Sequence, residues 1–152
     1  MKIRQCRPDD LTKVVKMLRS VGIIHSMELY ELILSMYPDL VLVAEENGEI
    51  IGFCMASLIS ESVGHLMVLY AKPEFRRRGI GRKLLQEILK RLMANYKVKE
   101  VVLEVRKSNT AAINLYRSFG FFPVSLLPNY YEDEDGILMK KKIVPRLFSS
   151  LQ

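Results

Sequence analysis

Tryptophan is absent from these 152 residues, and cysteine and histidine occur only twice each. Without Trp the obvious base-stacking platforms are missing. Cys6 and Cys54 give neither a disulfide framework nor metal-ligand spacing, and two histidines argue against zinc. No run reaches the ~18 apolar residues needed to span a bilayer. The start, Met1-Lys2-Ile3-Arg4, has no apolar signal core. Repeats, low-complexity segments and linkers are also missing. These absences predict a soluble, cytoplasmic protein with no metal and no membrane partner, built as a single domain over residues 1–152.

What is present is enough for a core: 49% of residues are hydrophobic, while 26% are charged, which argues against disorder. The net charge of +6 favours an anionic partner, whether nucleic acid, membrane surface or phosphorylated small molecule. Its distribution narrows the choice. Arg76, Arg77, Arg78, Arg82 and Lys83 form one cluster and Lys140, Lys141 and Lys142 another, with Glu132-Asp133-Glu134-Asp135 of opposite sign. A nucleic-acid binder would more usually carry one broad basic stripe with interleaved aromatics, so no nucleic-acid partner is expected.

Ile3 and Cys6 belong to a short strand, and Pro8-Asp9-Asp10 opens a helix carrying Leu11, Val14, Val15 and Leu18. Gly22 breaks it. A second helix runs from Met27 to Tyr37, before Pro38. Strands follow at 40–45 and 49–58, joined by Asn47-Gly48, a two-residue hairpin signal because both positions need positive φ. Further strands are expected at 65–71 and 99–105, and an amphipathic helix at 82–96. Asn109 starts a helix ending at Gly120. Residues 121–143 read as two strands around a loop at 128–135. The order predicts an α/β or α+β sandwich around a mixed sheet.

Arg76-Arg77-Arg78-Gly79-Ile80-Gly81 stands between a strand and a helix. Its glycines let backbone N–H groups approach an anion, the following helix points its positive end there, and the guanidinium groups add charge. This is chemistry for a pyrophosphate; the alternative is a solvated basic turn. The spacing fits neither a Walker loop nor a dinucleotide fingerprint. The stretch Leu66 to Gly81 resembles the acetyl-CoA motif of the GCN5-related N-acetyltransferases: a strand, then Arg/Gln-x-x-Gly-x-Gly/Ala, then a helix. Leu103 to Asn109, with Ala111-Ala112, Leu115-Tyr116 and Phe119-Gly120-Phe121, resembles that family's second motif, and Pro8-Asp9-Asp10-Leu11 its usual start. Within the family the chain is most similar to ribosomal-protein-alanine N-acetyltransferases and archaeal N-terminal acetyltransferases, on Leu103 to Asn109 and on Asn129-Tyr130-Tyr131 before Gly136-Ile137-Leu138-Met139. It departs from them in a short loop at 131–137 and in Val21 to Met27, where an aromatic Pro-Trp segment is usual.

The resemblance implies a mixed, mostly antiparallel sheet of six to seven strands flanked by four helices. It also implies acetyl-CoA as cosubstrate, held by Arg76, Arg77, Arg78, Gly79, Ile80, Gly81 and Arg82, with backbone groups of Leu69, Tyr70 and Ala71 on the acetyl and pantetheine arm. Acyl transfer to an amine needs a base, an oxyanion donor and a proton for the leaving thiolate. Glu104 interrupts an apolar strand on the same face as Val102, where desolvation should raise its pKa. It is the candidate base, or else an edge-strand carboxylate paired with Lys or Arg. Tyr116 is packing, or the acid that protonates the thiolate, as the family's Leu-Tyr pair implies. Asn109 caps its helix and, by resemblance, contacts the coenzyme. Tyr130 and Tyr131 line the acceptor entrance or are exposed loop aromatics, and the acidic stretch 132–135 offers attraction to basic substrate residues. Cys54 and His65 are expected to be structural. The expected reaction is acetyl transfer to a polypeptide N-terminal α-amine; the alternative is a small amine or lysine acceptor, and a non-catalytic acyl-CoA binder is disfavoured because Glu104 and Tyr116 are both present.

Overall fold

The structure, a computed structural model, describes residues 1–144; positions 145–152 of the expected domain lie outside the described residues. The chain begins with β1 (Lys2–Gln5) and a 3-10 turn over Pro8–Asp10. Helix α1 (Leu11–Arg19) buries Leu11, Val14, Val15 and Leu18, the expected stripe. Helix α2 (Met27–Met36) starts where the Ser26 hydroxyl accepts the Leu29 N–H at 3.2 Å and stops ahead of Pro38. Strands β2 (Val41–Glu46) and β3 (Glu49–Ser60) meet at Asn47 and Gly48, with φ of 51° and 79°, so the hairpin forms where both positive-φ residues stand. Then come β4 (Val63–Ala71), α3 (Ile80–Tyr96), β5 (Glu100–Arg106), α4 (Thr110–Ser118), β6 (Phe122–Leu127) and β7 (Gly136–Lys142). Seven strands and four helices fall within the expected range, and the sheet is mostly antiparallel in the order β1-β2-β3-β4-β5-β7-β6.

The chain packs as two compact units: one of Met1–Ser57 with Leu66–Asn95, the other of Leu58–His65 with the described chain from Tyr96 onward. In the first, α1 and α2 bury Val14, Leu18, Tyr30 and Ile33 with Phe53 of β3 and Tyr70 of β4 in one cluster. Helix α3 buries Leu84, Leu85, Ile88 and Leu92. Its first turn packs closely over Gly52. A Cβ at that position would lie 2.9 Å from Ile80 Cγ2 and 3.1 Å from the Tyr70 carbonyl, so only a bare backbone lets the first turn of α3 come so close to the sheet. Arg91 and Asn95 tie the far end of α3 to the Asp39 carbonyl and carboxylate at 3.0 and 2.7 Å.

In the second unit, β5 runs parallel to the start of β4, with Val63 against Glu100, Gly64 against Val101 and His65 against Val102. On its other side β5 is antiparallel to β7, with Glu104 opposite Leu138 and Arg106 opposite Gly136. Strand β5 is therefore not an edge. Valines 101, 102 and 105 and Leu103 are buried, with Tyr116, Phe121 and Met139. Lys141 donates to the Phe119 carbonyl at 2.7 Å, closing the C-terminal end of α4. That accounts for one member of the second lysine cluster, and Lys140 pairs with Glu100 at 3.4 Å.

Candidate active site

The anion cradle lies in the first unit. Helix α3 begins at Ile80, two residues before the expected start, because Gly79 serves as its cap: the Gly79 carbonyl accepts the Lys83 N–H at 2.9 Å. The leading N–H groups of α3 have no carbonyl ahead of them within the helix. Arg77 and Gly79 take φ of 66° and 76°, while Gly81 is the second residue of the helix. The two glycines thus differ from expectation. Gly79 is needed for its left-handed backbone, with open space around its Cα, and Gly81 is not strained. The arginines also divide. Arg78 spends its charge on a two-pronged pair with Glu46, at 2.9 and 2.6 Å, which holds that carboxyl below its usual range. Arg76 donates to the Ala71 carbonyl at 3.2 Å, with its guanidinium 5.9 Å from the Tyr70 ring centroid. Arg77 is exposed. Along β4 the side chains alternate, Tyr70 buried in the core and Leu69 and Ala71 half-buried.

The acid–base cluster lies in the second unit. Glu104 is half-buried, with 20% of its side chain accessible. His65 Nε2 stands 2.8 Å from Glu104 Oε1. An ionised carboxylate only accepts, so that ring nitrogen carries the proton. The meeting follows from register: His65 is level with Val102, and Glu104 is two residues further along the same face of the neighbouring strand. Burial first, then the negative charge of nearby Glu104, raises the pKa of the Tyr130 hydroxyl. Tyr131 packs edge-on against Tyr130 with ring centroids 5.0 Å apart, and burial foremost pushes its hydroxyl up to about 12. The side-chain bond of Glu104 thus goes to a histidine rather than to a lysine or arginine. His65 is the residue that sequence reasoning undervalued. The available signal was its polar side chain on a face of β4 that alternates with buried Leu66 and Val68.

Other expectations change or sharpen. Most of the acidic stretch is bonded internally: Asp133 and Glu134 pair with Arg106 at 2.6 and 3.2 Å, and Asp135 accepts the Asn129 N–H at 2.8 Å. Against the single charge of Arg106, the four-carboxylate stretch keeps a net negative charge. Asn109 caps α4, its Oδ1 accepting the Ala112 N–H at 3.2 Å. Tyr116 is buried, edge-on to Phe121 at 5.8 Å. Cys54 is fully buried and its thiol is pushed far above the usual range, so it offers no thiolate. Among the described residues no cluster of three or more His, Cys, Asp or Glu could hold a metal, and no helix is long and apolar enough to cross a membrane.

Residues 12–121 match the model of the acetyltransferase (GNAT) family. The chain belongs to this family. As a member it is an acyltransferase of the N-acetyltransferase type. Its relatives include an N-alpha-acetyltransferase of Sulfurisphaera tokodaii, 34% identical over 91% of this chain and 90% of that protein. A [Ribosomal protein bS18]-alanine N-acetyltransferase of Escherichia coli is 35% identical over 60% of each. Among solved structures, Ard1 from Thermoplasma volcanium superposes with a TM-score of 0.86 at 27% identity, over 95% of this chain and 98% of that one. Chaetomium thermophilum Naa20, solved in complex with a bisubstrate analogue, gives 0.84 at 29% identity, over 94% and 87%. Both of the groups named on sequence resemblance are represented.

Proposed function

We propose that the chain transfers acetyl from acetyl-CoA to the free α-amine of a polypeptide, by direct attack in a ternary complex, and that its two units act together as one domain over residues 1–152. The observation that carries this reading is the half-buried Glu104 carboxylate held by His65 Nε2 at 2.8 Å. Relatives named as N-alpha-acetyltransferases support the choice of acceptor.

The cradle fits a pyrophosphate: a left-handed Gly79, a helix start and the cations of Arg76 and Arg77 serve one anion, with Arg82 in the first turn of α3. Backbone groups of Leu69, Tyr70 and Ala71 are assigned to the acetyl carbonyl and pantetheine arm, and Asn109 to the coenzyme as well as to its cap. In the reaction the amine nitrogen forms a bond to the thioester carbon and the carbon–sulfur bond breaks. An ammonium must shed two protons on the way to an amide. Glu104 takes the first, directly or through one water, with His65 holding its carboxylate in place. Tyr116 supplies a proton to the departing sulfur, and the second nitrogen proton restores the Tyr116 phenol. An α-amine, with a reference pKa near 8 against about 10.4 for lysine, is easier for one carboxylate to deprotonate by roughly 3 kcal/mol. Buried, unpaired Cys6 and Cys54 suit a reducing cytoplasm.

The test is a competition between peptides with free and blocked N-termini, each with an internal lysine, and mass spectrometry to locate the acetyl group. Label on the free α-amine is expected. Label mainly on lysine, or only on small amines, overturns the reading.

A further inference from the structure

At the connection between β6 and β7 one side chain gathers three contacts. Arg106 Nη1 donates to Asp133 Oδ1 at 2.6 Å and to Glu134 Oε1 at 3.2 Å. The same guanidinium lies 4.4 Å from the centroid of the Tyr131 ring. Glu134 is held a second time by Ser108, whose N–H and hydroxyl donate at 3.2 and 2.8 Å. The loop backbone closes on itself and on the end of β5: Tyr131 N–H donates to the Glu134 carbonyl and Lys107 N–H to the Asp135 carbonyl, each at 3.1 Å. Gly136, opposite Arg106 in the ladder, makes room. A Cβ there would lie 3.1 to 3.2 Å from atoms of Tyr130 and Tyr131.

An exposed ion pair alone contributes little, and 74% of the Asp133 side chain is accessible. Stability therefore does not account for two carboxylates gathered on one exposed cation. The contacts do form a series. Arg106 covers Tyr131, Tyr131 packs edge-on against Tyr130, and the Tyr130 hydroxyl lies within reach of the Glu104 charge. A lysine cannot replace Arg106, because it has a point charge where the stack needs a plane. The backbone bonds of the loop do not involve the guanidinium, so losing it should loosen the tyrosines before it unfolds the loop.

We propose that Arg106 is a positioning residue for the acceptor: it sets Tyr131, and through it Tyr130, at the carboxylate that receives the amine proton. This rests on the amine-acetylation reading above. The test compares Arg106→Gln and Arg106→Lys with Arg91→Gln, which removes the Arg91–Glu87 ion pair on α3. The acceptor is a free-N-terminus peptide, and both substrates are titrated. Expected for both Arg106 variants is an acceptor KM raised about tenfold with an unchanged acetyl-CoA KM, since a group that only places one substrate moves that substrate's constant. Amide exchange at Ser108 and Tyr131 should quicken in the same variants, and Arg91→Gln should show neither change. Full rescue by lysine overturns the stacking route. A wild-type acceptor KM in Arg106→Gln overturns the positioning role. If the wild type acetylates only lysine or a small amine, the N-terminal reading fails, and the same tenfold change is read on that amine; an unchanged KM there overturns the positioning role by itself.

Discussion

The cradle and the acid–base cluster are built by opposite means. The cradle is seven consecutive residues, Arg76 to Arg82, in which a left-handed glycine and a helix start do most of the work. Its side chains are partly diverted, Arg78 to Glu46 and Arg76 to Tyr70 and the Ala71 carbonyl. The cluster gathers residues from three distant segments: His65 and Glu104 are 39 positions apart, and Tyr130 lies on a third segment. It depends on individual side chains held by ladder register. Backbone sites tolerate side-chain change and fail on conformation; side-chain sites fail atom by atom.

Glu104→Gln should give the largest effect on this view, lowering turnover about 10²–10³-fold with acetyl-CoA affinity unchanged, since a general base typically supplies ~10²–10⁴. Steady-state kinetics beside a coenzyme titration reads both, and a near-wild-type rate would remove Glu104 as the base. Tyr116→Phe is expected to cost turnover too, while leaving the peptide KM alone. His65→Ala follows at about a tenfold loss, smaller because His65 acts on the amine through Glu104 and general acid–base effects scale with contact to the moving proton. A loss equal to that of Glu104→Gln would make the histidine a base in its own right.

In the cradle the effect should move from turnover to affinity. Gly79→Ala has open space for its methyl but must hold φ near 76°. A left-handed non-glycine residue costs about 1–2 kcal/mol, or roughly a tenfold weaker acetyl-CoA complex by calorimetry. Unchanged affinity there would mean that the cradle is not a backbone site. Acid should have the smallest effect on either region. Glu46 is held below its usual range by Arg78, and Asp133 by Arg106. Carboxyls with depressed folded-state pKa values contribute stability that is present above the ordinary range, near pH 4, and lost as pH falls through the depressed value. Melting temperature should therefore hold between pH 7 and 5 where these pairs are concerned, and decline only below about pH 4. A loss already at pH 6 would assign acid sensitivity to other groups.

Much of the fold could be read from neighbouring residues. Asn47-Gly48 required a hairpin, Ser26 and Asn109 capped helices within reach of their own side chains, and the α1 stripe of Leu11, Val14, Val15 and Leu18 named its buried face. The start of α3 was missed by two residues because Gly79 was taken for a ligand contact rather than also a cap. The partners of Arg78 and of the acidic stretch could not be read from the sequence, for a shared reason. Charge counts do not say which charges neutralise one another, and the partners Glu46 and Arg106 are 32 and 27 positions away.

The residues alone determined the elements, the candidate anion turn and the candidate carboxylate, because helix caps, glycine backbone freedom and hydrophobic period act within a few positions of the chain. Only the tertiary structure decided that His65 and Tyr130 converge on Glu104, that Arg106 rather than solvent takes up Asp133 and Glu134, and that Arg78 serves Glu46. The His65–Glu104 pairing depends on the register of β4 against β5, a one-residue slip of which would turn one of the two side chains to the opposite face, while the Arg106 and Arg78 pairs join segments 27 and 32 positions apart that only the folded chain brings together.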